Sequence, residues 1–544
     1  MKIALCQLNY KVGDIDANFK KISDFYSKAV SENADLAVFS ELSICGYPPQ
    51  DLLDYDFFIN KCKNAIDKLV EISGKTSMIV GCPMPSRLNS GKKLYNSAVL
   101  IQNNKIMGVF NKTLLPTYNI FDEYRYFEPC EKYSIAEING HKFAITVCED
   151  LWDINTSKLY RTSPMEHLSK LDPELIINIS GSPFSYNHVE ERTELMKKNA
   201  LKYNLPLIYV NQTGANTDII FDGGSMFIDS KGNVISQLEY FKEDFKIIEW
   251  EKNKKYLPAH KNYKNDDIIL IYEALKLGIK DFFEKSGFSK AILGLSGGID
   301  SALVTVLAKE VLGSANVLPV LLPSVFSSAH SIDDSIKLCK NLNIKYELIE
   351  ISSIVDSFEK QLKPVFKNSL RNVAEENIQS RVRGTLLMAI SNKTGHILLN
   401  TTNKSEAAVG YGTLYGDMCG AISVLGDVYK TQIYKLAKYI NRNVEIIPQN
   451  IIDKAPSAEL RPNQKDSDTL PDYKLLDEIL YLYIEKLLSI EDIITKGFDE
   501  KLVKKIIKMV DVNEFKRFQV PPILRVSDKA FGIGRQMPIV GKIN

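Results

Sequence analysis

A charged stretch, residues 249–265, divides the chain into two halves with different patterns, and this division restricts the possible folds more than any other feature. It reads Trp250-Glu251-Lys252-Asn253-Lys254-Lys255, then Pro258 and Lys261-Asn262-Tyr263-Lys264, with no apolar periodicity. Such text belongs to a linker. With 544 residues the chain is too long for one ordinary core. We therefore expect one domain over 1–248, a linker over 249–265 and a second domain over 266–544.

The first half holds brief runs rich in Val, Ile, Leu and Phe: Lys2–Leu8, Asp35–Ser40, Thr76–Gly81, Lys142–Val147, Leu175–Ser180 and Leu207–Asn211. Strands buried on both faces have this look. Asn96–Ile101 and Ile106–Asn111 flank Gln102-Asn103-Asn104-Lys105, and Met226–Asp229 and Val234–Leu238 flank Ser230-Lys231-Gly232-Asn233. Both pairs predict hairpins in a β-rich layered domain with covering helices. The second half opens at Asp266 and Asp267 with a helix marked by Ile268, Ile271, Tyr272, Leu275, Ile279 and Phe282. Strand Ala291–Leu295, helix Ser301–Leu312, strand Val317–Leu322, helix Ala329–Leu342 and strand Tyr346–Ile351 follow. That alternation predicts a doubly wound parallel sheet, so the chain as a whole is α/β.

Charge narrows the function classes. Lys and Arg number 68 against 67 Asp and Glu, a net +1, which excludes a strong global field for nucleic acid or a membrane surface. No apolar run approaches a membrane span. The N-terminus runs from Met1 straight into a strand and lacks the apolar core and cleavage site of a signal peptide. The eight cysteines form no CxxC pair, and a reducing, cytoplasmic setting is expected.

Between strand Ala291–Leu295 and the next helix stands Ser296-Gly297-Gly298-Ile299-Asp300-Ser301. Two glycines let backbone approach a ligand, the helix start presents unpaired amides, and the serines add hydroxyl donors. Asp300 can position a cation or cap the helix. With no Lys after the glycines, this is not the usual nucleoside-triphosphate loop. It resembles the pyrophosphate-binding loop of the ATP pyrophosphatases, which cleave ATP between its α and β phosphates.

Further on, Glu375-Glu376-Asn377-Ile378-Gln379-Ser380-Arg381-Val382-Arg383-Gly384 opens a helix. A solvated charged face would explain its two glutamates, but it explains less well the two arginines set before the apolar Thr385–Ile390 run. Strand His396–Asn400 delivers Thr401-Thr402-Asn403-Lys404-Ser405-Glu406 at its C-terminal end, where open α/β sheets bind ligands. Gly410-Tyr411-Gly412-Thr413-Leu414-Tyr415-Gly416-Asp417 follows, then Asp427-Val428-Tyr429-Lys430-Thr431.

Together with Lys516–Pro522 and Lys529–Arg535, these segments resemble the NAD synthetase family. The resemblance implies that Ser296, Gly297, Gly298, Ile299, Asp300 and Ser301 hold ATP phosphates, with Thr401 or Thr402 touching ATP. It implies Lys430 and Ser457 at the phosphoryl region, and Asp300 with Glu406 serving Mg²⁺. Asn377, Glu406, Tyr411, Gly412, Thr413, Leu414 and Lys516 would lie along deamido-NAD. Gly426 and Phe518 depart from the family pattern.

In the first half, Val38-Phe39-Ser40-Glu41, Phe110-Asn111-Lys112 and Val147-Cys148-Glu149-Asp150 each put a reactive side chain after a strand. Each alone reads as a cap, a surface charge or a structural thiol. If one sheet edge gathers them, Glu41 takes the thiol proton, Lys112 stabilises thiolate and oxyanion, and Cys148 attacks a carbonyl or nitrile carbon.

The set is similar to the nitrilase (carbon–nitrogen hydrolase) family, and the flanking Ser40–Pro49 and Phe121–Phe127 resemble its glutaminase branch. The likeness implies a nitrilase-like α-β-β-α sandwich, with Tyr118 and Ser182 binding glutamine and Glu123 assisting the trio. His188 stands where a basic residue of the glutamine site is expected.

The two likenesses combine into one expectation. Glutamine releases NH₃ at Cys148, and NH₃ displaces AMP from an adenylate of deamido-NAD, with small molecules as the only partners besides copies of the chain. Assembly as a homodimer or higher homo-oligomer through the synthetase domains is implied too. Another adenylating enzyme acting on a different acid, an RNA-modifying protein with the same loop, and a binding-only module stay open on sequence.

Overall fold

The computed structural model describes residues 1–86, 88–154, 159–257, 266–367 and 369–541. They group into two compact units, Met1–Asn265 and Asp266–Asn544.

In the first unit, β1 (Lys2–Gln7), β2 (Leu36–Val38), β3 (Ser77–Pro85), β4 (Leu94–Gln102) and β5 (Lys105–Asn111) build one sheet. β6 (Ala136–Ile138), β7 (His141–Val147), β8 (Leu175–Ser180) and β9 (Leu207–Asn211) begin another. A separate hairpin of β10 (Thr213–Asn216) and β11 (Ile219–Asp222) comes next. Then β12 (Met226–Ile228) and β13 (Val234–Gln237) complete the second sheet, and β14 (Asp244–Glu249) returns to pair antiparallel with β1. The orders are β14-β1-β2-β3-β4-β5 and β13-β12-β9-β8-β7-β6.

Burial on both faces is what makes the central strands of the two sheets so rich in apolar residues. Ile3, Leu5, Leu36, Val38 and Ile79 meet Phe143, Ile145, Val147, Ile177 and Ile179 between the sheets. The alternate residues Ala4, Ala37, Met78 and Val80 pack under helices α1 (Ile15–Ser31) and α2 (Asp56–Ile72). Helices α3 (Pro164–Leu168) and α4 (His188–Tyr203) cover the second sheet through Met165, Leu195 and Met196. The result is the expected α-β-β-α sandwich.

The first hairpin is tighter than the sequence suggested. Asn103 and Asn104 alone make the turn, both left-handed at φ 49° and 58°, a conformation asparagine tolerates. The start of the expected linker also packs. Trp250 is 1% exposed, its ring 5.5 Å from that of Phe143, and its carbonyl accepts a hydrogen bond from the Met1 ammonium. Residues 258–265 of the linker lie outside the described residues.

The second unit runs α5 (Asp267–Ser286), β15 (Ala291–Gly294), α6 (Ile299–Leu312), β16 (Val317–Leu321), α7 (Ala329–Leu342) and β17 (Glu347–Leu348). It continues with α8 (Ser352–Phe366), α9 (Val373–Thr394), β18 (Ile397–Asn400), α10 (Lys404–Val409), β19 (Ile422–Ser423) and α11 (Lys430–Ile440). The sheet is parallel throughout, in the order β17-β16-β15-β18-β19. The expected strand Tyr346–Ile351 shrinks to two exposed edge residues, Glu347 and Leu348, in register with Val320 and Leu321, beyond which single amide bonds from Ile349 and Ile351 reach the Leu321 and Pro323 carbonyls. Three later helices, Tyr473–Leu480, Ile490–Thr495 and Glu500–Val512, close a second apolar cluster around Leu476, Ile493 and Ile507.

From β15 the chain winds outward to β17 and then returns to β18 on the other side. The C-terminal ends of β15 and β18 therefore border a topological switch point, the place where such sheets take ligands. Among the described residues no helix is long and apolar enough to cross a membrane.

Candidate active sites

In the first unit Glu41 follows β2, Lys112 follows β5 and Cys148 follows β7. Lys112 Nζ donates to Glu41 Oε1 and to Glu123 Oε1, each at 2.8 Å, and both Glu41 and Lys112 are fully buried. Asn96 on β4 ties the carboxylates together, its Nδ2 donating to Glu41 at 2.7 Å and to Glu123 at 3.3 Å. The Gly181 amide donates to Glu41 Oε2 at 2.8 Å. A Cβ on Gly181 would lie 3.2 Å from Tyr47 and 3.3 Å from Glu41, so glycine is what lets that amide come close. Tyr47 in turn donates its hydroxyl to Glu123 at 2.8 Å.

Cys148 sits at φ 43°, a left-handed conformation that non-glycine residues adopt at a cost. Asp150, two residues on, binds the Val147 amide at 3.0 Å and the Thr113 and Leu114 amides at 2.9 Å, locking the Lys112 and Cys148 strand ends together. Burial pushes the Cys148 thiol well above its usual range; Glu41 adds to that and Lys112 opposes it. Burial also pushes Glu123 up to about 7, against the pull of Lys112. Desolvation alone would neutralise Lys112, but Glu123 and Glu41 outweigh it and hold the ammonium charged.

Of the expected glutamine ligands, Tyr118 donates to Glu149 Oε1 at 3.0 Å and Tyr160 donates to the same oxygen at 2.8 Å. Ser182 is held through its backbone by Asn211, at 2.9 and 3.1 Å. His188 opens α4 with its Nε2 3.7 Å from Glu191 and its ring 5.7 Å from that of Trp152.

In the second unit a cavity of about 440 Å³ opens at the switch point. Ser296–Ser301, Asn377, Thr401, Thr402, Glu406, Tyr411, Gly412, Thr413, Lys430, Ser457 and Lys516 all line it. Leu414 is the exception: it is not on the wall, and its carbonyl accepts from Arg381 Nε at 3.2 Å. The Ser296 hydroxyl accepts from the Gly298 amide at 3.3 Å and lies 3.2 Å from that of Ser301. Gly297 has φ 77°, and a Cβ there would be 2.5 Å from the Ser331 carbonyl. Helix α6 starts from Gly298 with no side-chain cap, leaving its first amides for an anion.

Lys430 Nζ bridges Asp300 at 2.6 Å and Glu406 at 3.0 Å. Asn403 donates to the other Asp300 oxygen at 3.0 Å. Tyr411 and Tyr473 donate to Asp466 at 3.0 and 2.9 Å. Burial raises Glu406 to about 7 although Lys430 pulls it down. Thr413 donates its hydroxyl to Asn377 at 2.7 Å, and Lys516 donates to the Gly410 and Gly412 carbonyls at 2.7 and 2.9 Å. The Ser457 hydroxyl donates to the Gln464 carbonyl at 2.6 Å.

The first unit thus holds a site built around a thiol, and the second a cavity built around a phosphate-type loop. Residues 2–251 match the carbon-nitrogen hydrolase family and residues 271–521 match the NAD synthase family. A glutamine-dependent NAD(+) synthetase from Synechocystis is 44% identical over 546 residues, covering 99% of this chain and 98% of the relative. One from Acinetobacter baylyi is 42% identical, with 99% and 98% covered. The solved structure of the Acinetobacter baumannii glutamine-dependent NAD+ synthetase in complex with ADP superposes with TM-score 0.77 at 38% identity, covering 99% of this chain and 98% of that one.

The chain belongs to the glutamine-dependent NAD(+) synthetases.

Seen as a member of the glutamine-dependent NAD(+) synthetases, it has site residues that sequence reading did not single out. Tyr47 lies in the Ser40–Pro49 segment without a role of its own there, Asn96 lies in ordinary strand text, and only pairing of β4 with its neighbours brings Asn96 to both glutamates. Glu149 and Asp150 carried a signal, two carboxylates directly after Cys148, that their burial now explains. Asp466 and Tyr473 sit in a polar segment with no spacing cue.

Asp300 and Glu406 also suit a magnesium ion. Two carboxylates share a single ammonium with Asp466 close by, a local excess of negative charge that a divalent cation would balance. Among the described residues no group of three or more His, Cys, Asp or Glu is arranged to hold a metal alone.

Proposed function

We propose that this chain amidates deamido-NAD to NAD, spending ATP to form an adenylate and taking nitrogen from glutamine. The observation that carries the reading is the buried Glu41–Lys112–Glu123 set beside Cys148, on one chain with a phosphate-type cavity.

In the first unit Glu41 takes the Cys148 proton as the thiolate attacks the glutamine carboxamide carbon. Two Lys112 protons are engaged by Glu41 and Glu123, which leaves the third for the oxyanion. Collapse of the tetrahedral intermediate, with the proton handed on from Glu41, expels NH₃ and leaves a thioester. Water deprotonated by Glu41 then frees glutamate.

In the second unit a carboxylate oxygen of deamido-NAD attacks the α-phosphorus of ATP, and pyrophosphate leaves. The Ser296–Ser301 amides and hydroxyls and the Lys430 ammonium receive the charge of that leaving group. Magnesium held by Asp300 and Glu406 would supply charge neutralisation to the phosphates. NH₃ attacks the acyl carbon and AMP departs. The reading gives ATP to Thr401 or Thr402 and to Ser457, and deamido-NAD to Asn377, Tyr411, Gly412, Thr413 and Lys516, and all of these residues line the one cavity. Lys516 supports this assignment, because burial pushes it below its usual range and it donates to carbonyls, a setting that favours an anionic substrate. Transfer of ¹⁵N from amide-labelled glutamine into the carboxamide of NAD tests the reading; unlabelled NAD in ammonia-free buffer contradicts it.

Glu149 supplies the glutamine preference. Its buried carboxylate accepts from two phenols and is raised by burial, which leaves it ready for an ammonium beside the nucleophile. Glu149→Gln is expected to raise the glutamine KM about tenfold or more while kcat changes less. An unchanged KM contradicts this role.

The pH profile follows from Glu123. Below about 7 a proton enters the Glu41–Lys112–Glu123 set and quenches the base, so glutaminase kcat/KM falls as pH drops through that value. In Glu123→Gln the carboxyl that burial pushes up to about 7 is gone, and the acid limb leaves that value. A limb that stays in place contradicts the assignment.

The same reading places the chain in a reducing cytoplasm, consistent with eight cysteines that are all free thiols. It also has the chain acting as a homodimer or higher homo-oligomer through its second unit, which sedimentation velocity tests.

A further inference from the structure

Sequence reading left Arg381 and Arg383 on α9 without a task, and the structure separates them. Arg381 is exposed and turned to the Leu414 carbonyl. Arg383 stands on the cavity wall, its Nε donating to the Leu322 carbonyl at 2.9 Å. Among the described residues it makes no ion pair, and burial lowers it to about 10 while Asp417 and Glu459 attract it from further off. A half-buried guanidinium with no close carboxylate partner among the described residues is costly unless a ligand completes its surroundings.

The topology indicates which part of the ligand that is. Asp300, Glu406 and Lys430 gather on the β18 side of the Ser296–Ser301 loop. Leu322 and Arg383 lie on the opposite, β16 side. A nucleotide with its phosphates on the loop and its pyrophosphate end toward Lys430 extends its nucleoside toward Arg383. There the wall is apolar: Leu322, just beyond β16, and Leu387 on α9 belong to one buried cluster and also line the cavity. Phosphate already has the loop amides and Lys430, so the planar cation beside leucines suits a flat aromatic ring.

We infer that Arg383 is a specificity residue of the nucleotide site, its guanidinium tethered by the Leu322 carbonyl and laid against the purine base of ATP. This rests on the ATP-dependent reading given above. Its experiment compares wild type with Arg383→Ala and Arg383→Lys in ammonia-driven synthesis and in calorimetric titration with ATP and with pyrophosphate alone.

The expected result is a rise in KM and Kd for ATP of about tenfold in Arg383→Ala, with kcat within about twofold. The KM for deamido-NAD and the affinity for pyrophosphate stay at wild-type values. Arg383→Lys keeps the charge but loses the flat face and the tether, so its ATP affinity stays weakened; if the alanine variant does not fold, this variant alone carries the test. Wild-type ATP affinity in either folded variant overturns the inference, and so does an equal loss of pyrophosphate affinity, which would put the guanidinium on the phosphates. A wild-type protein that neither binds ATP nor forms AMP overturns the underlying reading instead.

Discussion

Cys148→Ala is expected to lose glutamine-driven NAD synthesis by roughly 10⁴-fold or more while ammonia-driven synthesis stays near wild type. The loss is large because no second nucleophile stands in the Glu41–Lys112–Glu123 set. Without the thiol, the base and the oxyanion donor have nothing to activate. Retention of the ammonia reaction follows from the separation of the units: Asp300, Glu406, Lys430 and the Ser296–Ser301 loop all belong to Asp266–Asn544 and make their contacts there. The measurement is NAD formed with saturating glutamine and, separately, with ammonium at alkaline pH. Loss of both activities in a folded variant would contradict independent chemistry at the two sites.

Lys430→Met is expected to do the reverse. Ammonia-driven and glutamine-driven synthesis both fall by about 10²–10³-fold, the usual loss when one charged donor to a transition state is removed. Glutamine hydrolysis at Cys148 continues. The substitution also strands Asp300 and Glu406, which lose their shared ammonium, and breaking such a buried pair costs on the order of 3–5 kcal/mol. Thermal unfolding of the second unit should therefore shift down, and magnesium should recover part of the shift by replacing the missing charge. Full synthesis activity in Lys430→Met, or loss of glutaminase activity alone, contradicts the assignment.

Chain-local features were legible in the sequence, and side-chain convergence was legible only in part. The strand ends carrying Glu41 and Cys148 were visible because buried parallel strands are apolar runs with abrupt polar ends, while Lys112 was visible as the residue that follows a hairpin strand. The Ser296–Ser301 loop was visible because glycine and serine at a strand-to-helix turn have few other uses. Pairing across a sheet was not visible, so Asn96, which binds both glutamates, looked like any strand asparagine. The hairpin Thr213–Asn216 with Ile219–Asp222 went unread because it is short and carries no strong turn signal. Trp250 looked like linker since its charged neighbours outnumber it, yet one indole packed on Phe143 decides where the backbone goes. Leu414 was assigned to the substrate by its neighbours in the motif, and only the backbone path shows its carbonyl turned to Arg381.

The most direct measurement supplies ATP, magnesium, glutamine and deamido-NAD to the purified chain and follows NAD, AMP, pyrophosphate and glutamate together. Equal formation of NAD, AMP and pyrophosphate, with glutamate at least matching them, is the predicted outcome. ADP and phosphate in place of AMP and pyrophosphate, or glutamate without NAD, would contradict it.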